Sequence, residues 1–240
     1  MIDFLFIIIF LLSIIQSLFG VGLLLFGTPI LLIIGYEFTE ALFLLLPSSL
    51  TINAIQISKG YKNIDFVFYK NFLAISIPMV VLFLNLSLSY DLNFNLIVGV
   101  VLMLIPMKDL LMNEKVSKNF EILNKYKKIS LLIMGALHGI TNLGGSILSA
   151  IIKEKRYEKI KSRSTIAICY FTFALTQLIS LSFLSNNKAS NHLTALILVL
   201  VASISFLITE KKIFSIIEIE TYNKYFSLFL FSTGILLILK

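Results

Sequence analysis

Hydrophobic residues lie in eight long blocks separated by short polar loops. A helix needs about 20 apolar residues to cross a hydrocarbon core of roughly 30 Å, and six of the blocks have that ordinary spanning length. The blocks cover residues 2–35, 39–58, 68–90, 92–112, 129–152, 164–185, 192–209 and 225–239. The pattern predicts an all-α, polytopic integral membrane protein.

Two blocks contain residues that interrupt a helix. Block 2–35 is too long for one helix and too short for two full spans. It carries Gly20-Val21-Gly22, Gly27 and Pro29, and block 129–152 carries Gly139-Ile140-Thr141-Asn142-Leu143-Gly144-Gly145-Ser146. We predict a helix break at membrane depth in each block. We expect Thr28 and Pro29 to be the N-cap and first residue of one half-helix, and Ser146 to cap the other.

The order of the blocks indicates an internal repeat. Each broken block is followed by three ordinary blocks, and the lysine-rich loop 108–128 separates the two sets. Weak internal repeats of this kind occur in many transporters. The sequence therefore predicts an N-terminal membrane repeat at 1–112, a cytoplasmic linker at 113–128 and a C-terminal membrane repeat at 129–240.

The basic residues decide between two topologies. If each broken block crosses the membrane once, the 20 Lys and Arg residues divide into 11 on the cytoplasmic side and 9 on the other. If each is a re-entrant hairpin, 18 are cytoplasmic and 2 are not. The positive-inside rule favours the hairpins. Each repeat then has a hairpin plus three transmembrane helices, so the two repeats are inverted and their hairpin tips approach the midplane from opposite faces.

Composition narrows the class of protein. With 58% hydrophobic and 14% charged residues, the chain has too little polar surface for a soluble domain. The net charge of +7 lies in loops between apolar blocks, so no nucleic-acid partner is expected. Cys169 is the only cysteine, which excludes a disulfide within one chain and a cysteine-based metal site. No ATP-binding pattern G-x-x-x-x-G-K-[ST] occurs and no cofactor is expected, so transport would use an ion gradient or the membrane potential.

Polar residues inside the apolar blocks are the candidates for a binding site. The N-terminus of a half-helix suits an anion because its N–H groups are unpaired. Ser49, Asn53 and Gln56 share one face of a helix, as do Thr165, Cys169 and Thr172, and such stripes either line a substrate path or join helices. The candidate substrate-binding residues are Gly20, Gly22, Thr28, Pro29, Ser49, Asn53, Gln56, His138, Asn142, Gly144, Gly145, Ser146, Thr165 and Tyr170.

Two ionisable residues have open roles. His138 lies well inside an apolar block, where it either carries a coupled proton or stays neutral and hydrogen-bonds a carbonyl of the broken helix. Arg163 begins the sixth block and is either an anchor at the membrane surface or a ligand of the substrate.

The glycine motifs resemble those of the TauE/SafE family of membrane anion exporters, which is associated with sulfite and organosulfonate transport. That family interrupts the first helix of each half with a pattern close to G-x-G-G-G-x-x-x-x-P. Gly20, Gly22 and Pro29 match it, while leucines replace the other two glycines. The second copy keeps Gly144-Gly145. The resemblance covers nearly the whole chain and implies a carrier of small anions in a bacterial-type inner membrane.

Two alternatives from other classes remain open at this point. An intramembrane enzyme would need a nucleophile and a base at one depth, and Ser146 and His138 are eight residues apart across a helix break. A non-transporting membrane subunit is the other alternative, although it has little use for two helix breaks at matching positions.

Overall fold

The computed structural model describes residues 2–20, 22–90, 92–111, 122–184, 192–213 and 231–239. These ranges contain helices and short turns and no strand, so the all-α prediction is confirmed for them. The helices are α1 (Ile2–Phe19), α2 (Leu23–Ile34), α3 (Phe38–Gly60), α4 (Phe66–Ser89), α5 (Phe94–Leu111), α6 (Ile122–Lys125), α7 (Lys127–Thr141), α8 (Gly144–Glu154), α9 (Lys159–Leu184) and α10 (His192–Ile213). A 3-10 turn at Tyr61–Asn63 follows α3, and residues 231–239 are helical.

Four helical segments in the described ranges are long and apolar enough to cross a membrane. They are Phe38–Asn63, Phe66–Ser89, Lys159–Phe183 and Leu193–Glu210, and they coincide with four of the six ordinary blocks. The block at 92–112 forms α5, in which the apolar part that the structure describes is Phe94–Leu104, and the last block is described only at 231–239. Large apolar side chains face outward on these helices, among them Leu82, Phe183 and Ile204. This surface is suited to lipid, and the protein is an integral membrane protein.

Both broken blocks fold as helical hairpins. In the first, a Cβ atom at Gly22 would lie 3.1 Å from the Gln16 nitrogen, and one at Gly27 would lie 3.3 Å from Leu12 Cδ1, so α2 runs back along α1. In the second, α7 packs on α8, and the Asn124 N–H of α6, the short helix directly before α7, donates to Glu154 Oε2 at the end of α8 at 2.9 Å.

The breaks lie at the glycines but not at the predicted caps. Gly20 ends α1 with a φ of 73°, and α2 begins at Leu23. The prediction of Thr28 and Pro29 as cap and first residue is therefore wrong, since both lie inside α2. The helix starts earlier because the Gln16 side chain caps the Leu23 N–H. Pro29 then only omits one hydrogen bond of a helix already formed.

The predicted cap of the second half-helix is also wrong. Helix α8 begins at Gly144 with Leu143 at the N-cap position, so Ser146 is its third residue. The Ser146 hydroxyl donates to the Leu143 carbonyl at 2.7 Å, whereas the oxygen of an N-cap side chain accepts from an N–H of the first turn.

Helices from the two halves of the chain pack against each other. Helix α3 packs on α9, α4 packs on α7, and α1 packs on α10. Gly135 and Gly139 bring α7 onto the α4 backbone, because a Cβ atom at these positions would lie 2.5 Å from the Ser76 carbonyl oxygen and 2.7 Å from that of Val80. Small residues one turn apart allow this approach in membrane proteins.

A polar cluster joins the two halves at one end of the molecule. Asp65 caps α4 by accepting from the Phe68 N–H at 3.0 Å, it accepts from the Tyr157 hydroxyl, and its own N–H donates to Thr165 Oγ1 at 3.0 Å. Burial alone would raise the pKa of Asp65, but the bonds from Tyr157 and Phe68 and the charge of Lys155 outweigh it and lower the pKa. The turns that precede α4 and α9 therefore lie together.

Candidate functional site

The first helix break is closed by hydrogen bonds of its own. The Gly20 N–H donates to the Gln16 carbonyl at 2.9 Å, and Gln16 Oε1 accepts from the Leu23 N–H at 2.9 Å. The side chain that caps α2 thus comes from α1, four residues before the break. Sequence reasoning missed Gln16, although a glutamine inside an apolar block is a detectable signal.

The polar stripe on α3 continues from this cap. Gln16 Nε2 lies 3.5 Å from Asn53 Oδ1, and Asn53 Nδ2 donates to the Ser49 carbonyl at 2.8 Å. With its amide turned to satisfy both neighbours, Gln56 donates to Asn53 Oδ1 at 3.1 Å and accepts from Arg163 at 3.2 Å. The structure therefore brings the predicted residues Ser49, Asn53 and Gln56 together, buried, beside the first break.

Arg163 ends this polar chain at an ion pair. Its Nη2 atom donates to Glu210 Oε1 at 2.8 Å, and Lys59 pairs with the other oxygen of the same carboxylate. Arg163 also lies against the first break, since a Cβ atom at Gly20 would be 3.1 Å from Arg163 Cγ. Glu210 was not among the sequence candidates because it lies just past the end of an apolar block, where a charge resembles an ordinary loop residue.

The second helix break has the same backbone form and different neighbours. Asn142 adopts a φ of 62° and donates its N–H to the His138 carbonyl at 2.9 Å. Gly145, in the first turn of α8, packs directly on Tyr170: a Cβ atom there would lie 1.5 Å from Tyr170 Oη. Only glycine fits at this position without displacing the tyrosine.

The two hairpins meet at the second break. Asn142 Nδ2 donates to Thr28 Oγ1 at 2.7 Å, a contact between residues 114 positions apart. Thr28 lies five residues into α2, or about 8 Å along its axis. The second tip thus contacts the side of α2 at Thr28, beyond Gly20 and Gly22 of the first tip.

Three buried polar atoms near the second break have no hydrogen-bond partner among the described residues: Tyr170 Oη, His138 Nδ1 and Asn142 Oδ1. Buried polar atoms are usually bonded, so three at one break mark a place where a ligand or water is needed. Thr28 can donate as well as accept, so a turned Asn142 amide keeps that bond and presents an N–H donor instead of Oδ1.

His138 is held by a side chain. Its Nε2 atom lies 3.2 Å from Gln177 Oε1, and its ring stacks on Phe173 with 3.7 Å between centroids. The expected bond from this ring to a carbonyl of the broken helix is replaced by the bond to Gln177. A proton-carrying role for His138 stays a prediction.

The polar stripe on α9 divides between two places. Thr165 binds the Asp65 N–H, and Thr172 Oγ1 lies 2.8 Å from the Tyr69 hydroxyl, so these two residues join α9 to the α4 region. Cys169 is buried, and Tyr170 is the candidate substrate-binding residue of α9 that contacts the second break. Within the described residues, no three His, Cys, Asp or Glu side chains are grouped to hold a metal ion.

The geometry of a serine–histidine dyad is not formed at the second break. The Ser146 hydroxyl donates to the Leu143 carbonyl, while His138 Nε2 faces Gln177. A nucleophile requires its base within hydrogen-bonding reach, so these contacts give no support to the enzymatic alternative.

Comparison with known proteins places the chain in a family. The family model described as Sulfite exporter TauE/SafE matches residues 5–237, which is nearly the whole chain. The chain belongs to this family of membrane transporters. No curated protein and no solved structure matches it.

Proposed function

We propose that this member of the TauE/SafE family is a secondary transporter that moves a small anion, sulfite or an organosulfonate, across a bacterial-type inner membrane. One observation carries the proposal: the second broken helix contacts the first at Asn142 and Thr28, where further buried polar atoms have no partner in the described part of the chain. Irregular backbone at membrane depth is tolerated where it lines a cavity or is buried in protein, and transporters use it to bind substrate.

The proposed substrate site is the first turn of α8 with the residues around it. Helix α8 presents the N–H groups of its N-terminus, which carries roughly half a positive charge. Tyr170 Oη lies against Gly145 and can donate a hydrogen bond to an anion. Because Asn142 can present its amide donor beside them, a singly or doubly charged oxyanion would be bound without a lysine in the apolar interior.

An inverted repeat is part of the proposal, and the helix packing supports it. If the halves 1–112 and 129–240 match in order, α1 corresponds to α7 and α4 to α10. The contact of α1 with α10 is then the counterpart of the contact of α7 with α4. Helix α3 packs on its own counterpart α9, as two elements beside a two-fold axis would.

The re-entrant topology is supported by the polar cluster at one end of the molecule. If block 129–152 crossed the membrane once, the loop 153–163 would lie on the opposite side from residues 59–65. Instead Tyr157 binds Asp65, and Gly60 packs on Ser164. The basic residues of both loops then lie on the cytoplasmic side, as the positive-inside rule requires.

Flux measurement tests the function. Purified protein in proteoliposomes should carry radiolabelled sulfite or a radiolabelled sulfonate inward along an imposed gradient faster than empty vesicles do. Tyr170→Phe protein reconstituted at the same density is the matched comparison, and its flux at low substrate should be reduced. Flux no greater than that of empty vesicles for sulfite, sulfonates and other small oxyanions would overturn the proposal.

Cysteine labelling tests the topology. In a Cys169→Ser background, Asn93→Cys should react with an impermeant thiol reagent applied to the outside of cells, whereas Lys159→Cys should react only after permeabilisation. Both positions are exposed in the structure, so access to the reagent depends on the side of the membrane. Labelling of position 159 from outside would contradict the hairpin arrangement.

A further inference from the structure

A cluster of three charged side chains beside the first break joins three helices, and its one anion is a carboxylate of the protein itself. Glu210 of α10 lies between Lys59 of α3 and Arg163 of α9. The side chains of Glu210 and Arg163 are 11% and 12% exposed, whereas that of Lys59 is 45% exposed. The buried cation is thus Arg163, and a carboxylate neutralises it.

The surroundings of Arg163 match those of an oxyanion site. Its guanidinium donates to Glu210 Oε1 and to the Gln56 amide oxygen, and it lies 5.6 Å from the centre of the Phe206 ring. A guanidinium offers several N–H donors in one plane, a geometry that suits carboxylates and other oxyanions alike. The position of the Glu210 carboxylate therefore marks where a small oxyanion would bind.

We propose that Arg163 forms a second anion-binding subsite at the first break, and that Glu210 occupies this subsite whenever no substrate anion is bound. This inference rests on the proposed anion transport. An arriving oxyanion replaces Glu210 on Arg163, and Glu210 keeps Lys59 as its partner. An unpaired buried charge is costly, and this exchange avoids one because Arg163 and Glu210 each keep a partner of opposite charge throughout.

The polar chain continues from this subsite into the protein. Gln56 and Asn53 connect Arg163 to Gln16, and Gln16 caps the N-terminus of α2. Thr28, further along α2, contacts the second break. The subsite therefore lies at the start of a set of polar groups that leads to the N-terminus of α2, about 8 Å along that helix from the Thr28 contact.

The concentration dependence of sulfite flux into proteoliposomes tests the inference. Glu210→Gln removes the internal competitor and keeps the shape of the side chain, so the KM should fall by about 3–10-fold, the range expected for loss of a partly buried ion pair. Glu158→Gln, an exposed carboxylate on the loop before α9, is the matched control and should leave the KM unchanged. An unchanged or higher KM in Glu210→Gln protein would overturn the inference.

If Glu210→Gln protein fails to fold, a second variant tests the proposed exchange on Arg163. Lys59→Gln removes the partner that Glu210 retains during the exchange, so the KM should rise by about threefold, the size of a half-exposed ion pair. Lys62→Gln removes the same charge from an exposed position nearby and should change the KM less. Equal KM values for the two variants would contradict the exchange. If wild-type protein carries no anion at all, the proposed function fails and this inference fails with it.

Discussion

The two helix breaks share one backbone form. Gly20 and Asn142 both have positive φ values, and each donates its N–H at 2.9 Å to the carbonyl four residues earlier. That earlier residue is Gln16 in the first break and His138 in the second. A positive φ at the end of the first arm lets the chain reverse, and the same solution occurs twice.

The breaks differ in how their polar groups are satisfied. At the first, Gln16 caps α2, the α3 stripe continues the bonding, and Glu210 already supplies an anion to Arg163. At the second, Tyr170 Oη and His138 Nδ1 have no partner within the part of the chain that is described. One backbone form thus occurs in a closed break, whose polar groups are paired, and in an open break, where polar atoms lack partners among the described residues.

The largest contrast is expected from adding a methyl group at each break. Gly145→Ala should prevent normal packing, because its Cβ would lie 1.5 Å from the buried Tyr170 Oη. Overpacking of this kind costs about 1–3 kcal/mol or more. Gly22→Ala is the counterpart at the first break, where the nearest atoms would be 3.1 Å away, and should cost less. Thermal unfolding in detergent measures both, and wild-type stability in Gly145→Ala protein would contradict the tight packing.

The closed state of the first break is tested by removing its cap. Gln16→Met leaves the Leu23 N–H and Asn53 Oδ1 without this partner, so the protein should lose about 1–2 kcal/mol of stability. Ser13→Ala on the same helix is the control, since its hydroxyl donates to the local Ile9 carbonyl. Equal losses in the two variants would show that the cap contributes nothing particular.

The open state of the second break is tested by Tyr170→Phe. A hydroxyl without a partner adds no stability when buried, so its removal should leave the unfolding temperature unchanged or higher. The KM for the transported anion should rise by about tenfold, the value of one hydrogen bond to a charged group. A lower unfolding temperature with an unchanged KM would assign the hydroxyl to the fold.

The smallest effect on stability is expected at the polar cluster around Asp65. This cluster lies outside both breaks, so it serves as a reference for the effects measured at them. Tyr157→Phe removes a bond to Asp65 and should cost under about 1 kcal/mol at neutral pH. Since the pKa of Asp65 is lowered from 3.8, its stabilisation is present above that value and is lost as the pH falls through the folded-state pKa. Unfolding should therefore differ between wild type and variant at pH 7 but converge at low pH. A difference that persists there, or that the exposed Tyr126→Phe reproduces, would contradict this account.

The helix breaks themselves were predictable, whereas their caps were not. Glycine pairs inside apolar blocks indicate a helix break regardless of how the helices pack afterwards. Both breaks occur within the predicted segments. Thr28 and Pro29 formed a plausible start signal, but Gln16 supplied the cap from the other arm of the hairpin. That contact depends on how α1 and α2 pack, which local patterns do not report.

The sequence alone determined the membrane class, the positions of the helices and breaks, and the family, because hydropathy and helix-breaking residues act locally. Only the tertiary structure decided which polar groups are paired. Asn142 meets Thr28, which is 114 positions away, and Arg163 of α9 meets Glu210 of α10 because both of these helices pack on α3. The packing of the helices sets the distances between these side chains. A buried polar atom therefore has a hydrogen-bond partner only where the neighbouring helix places a polar group within reach.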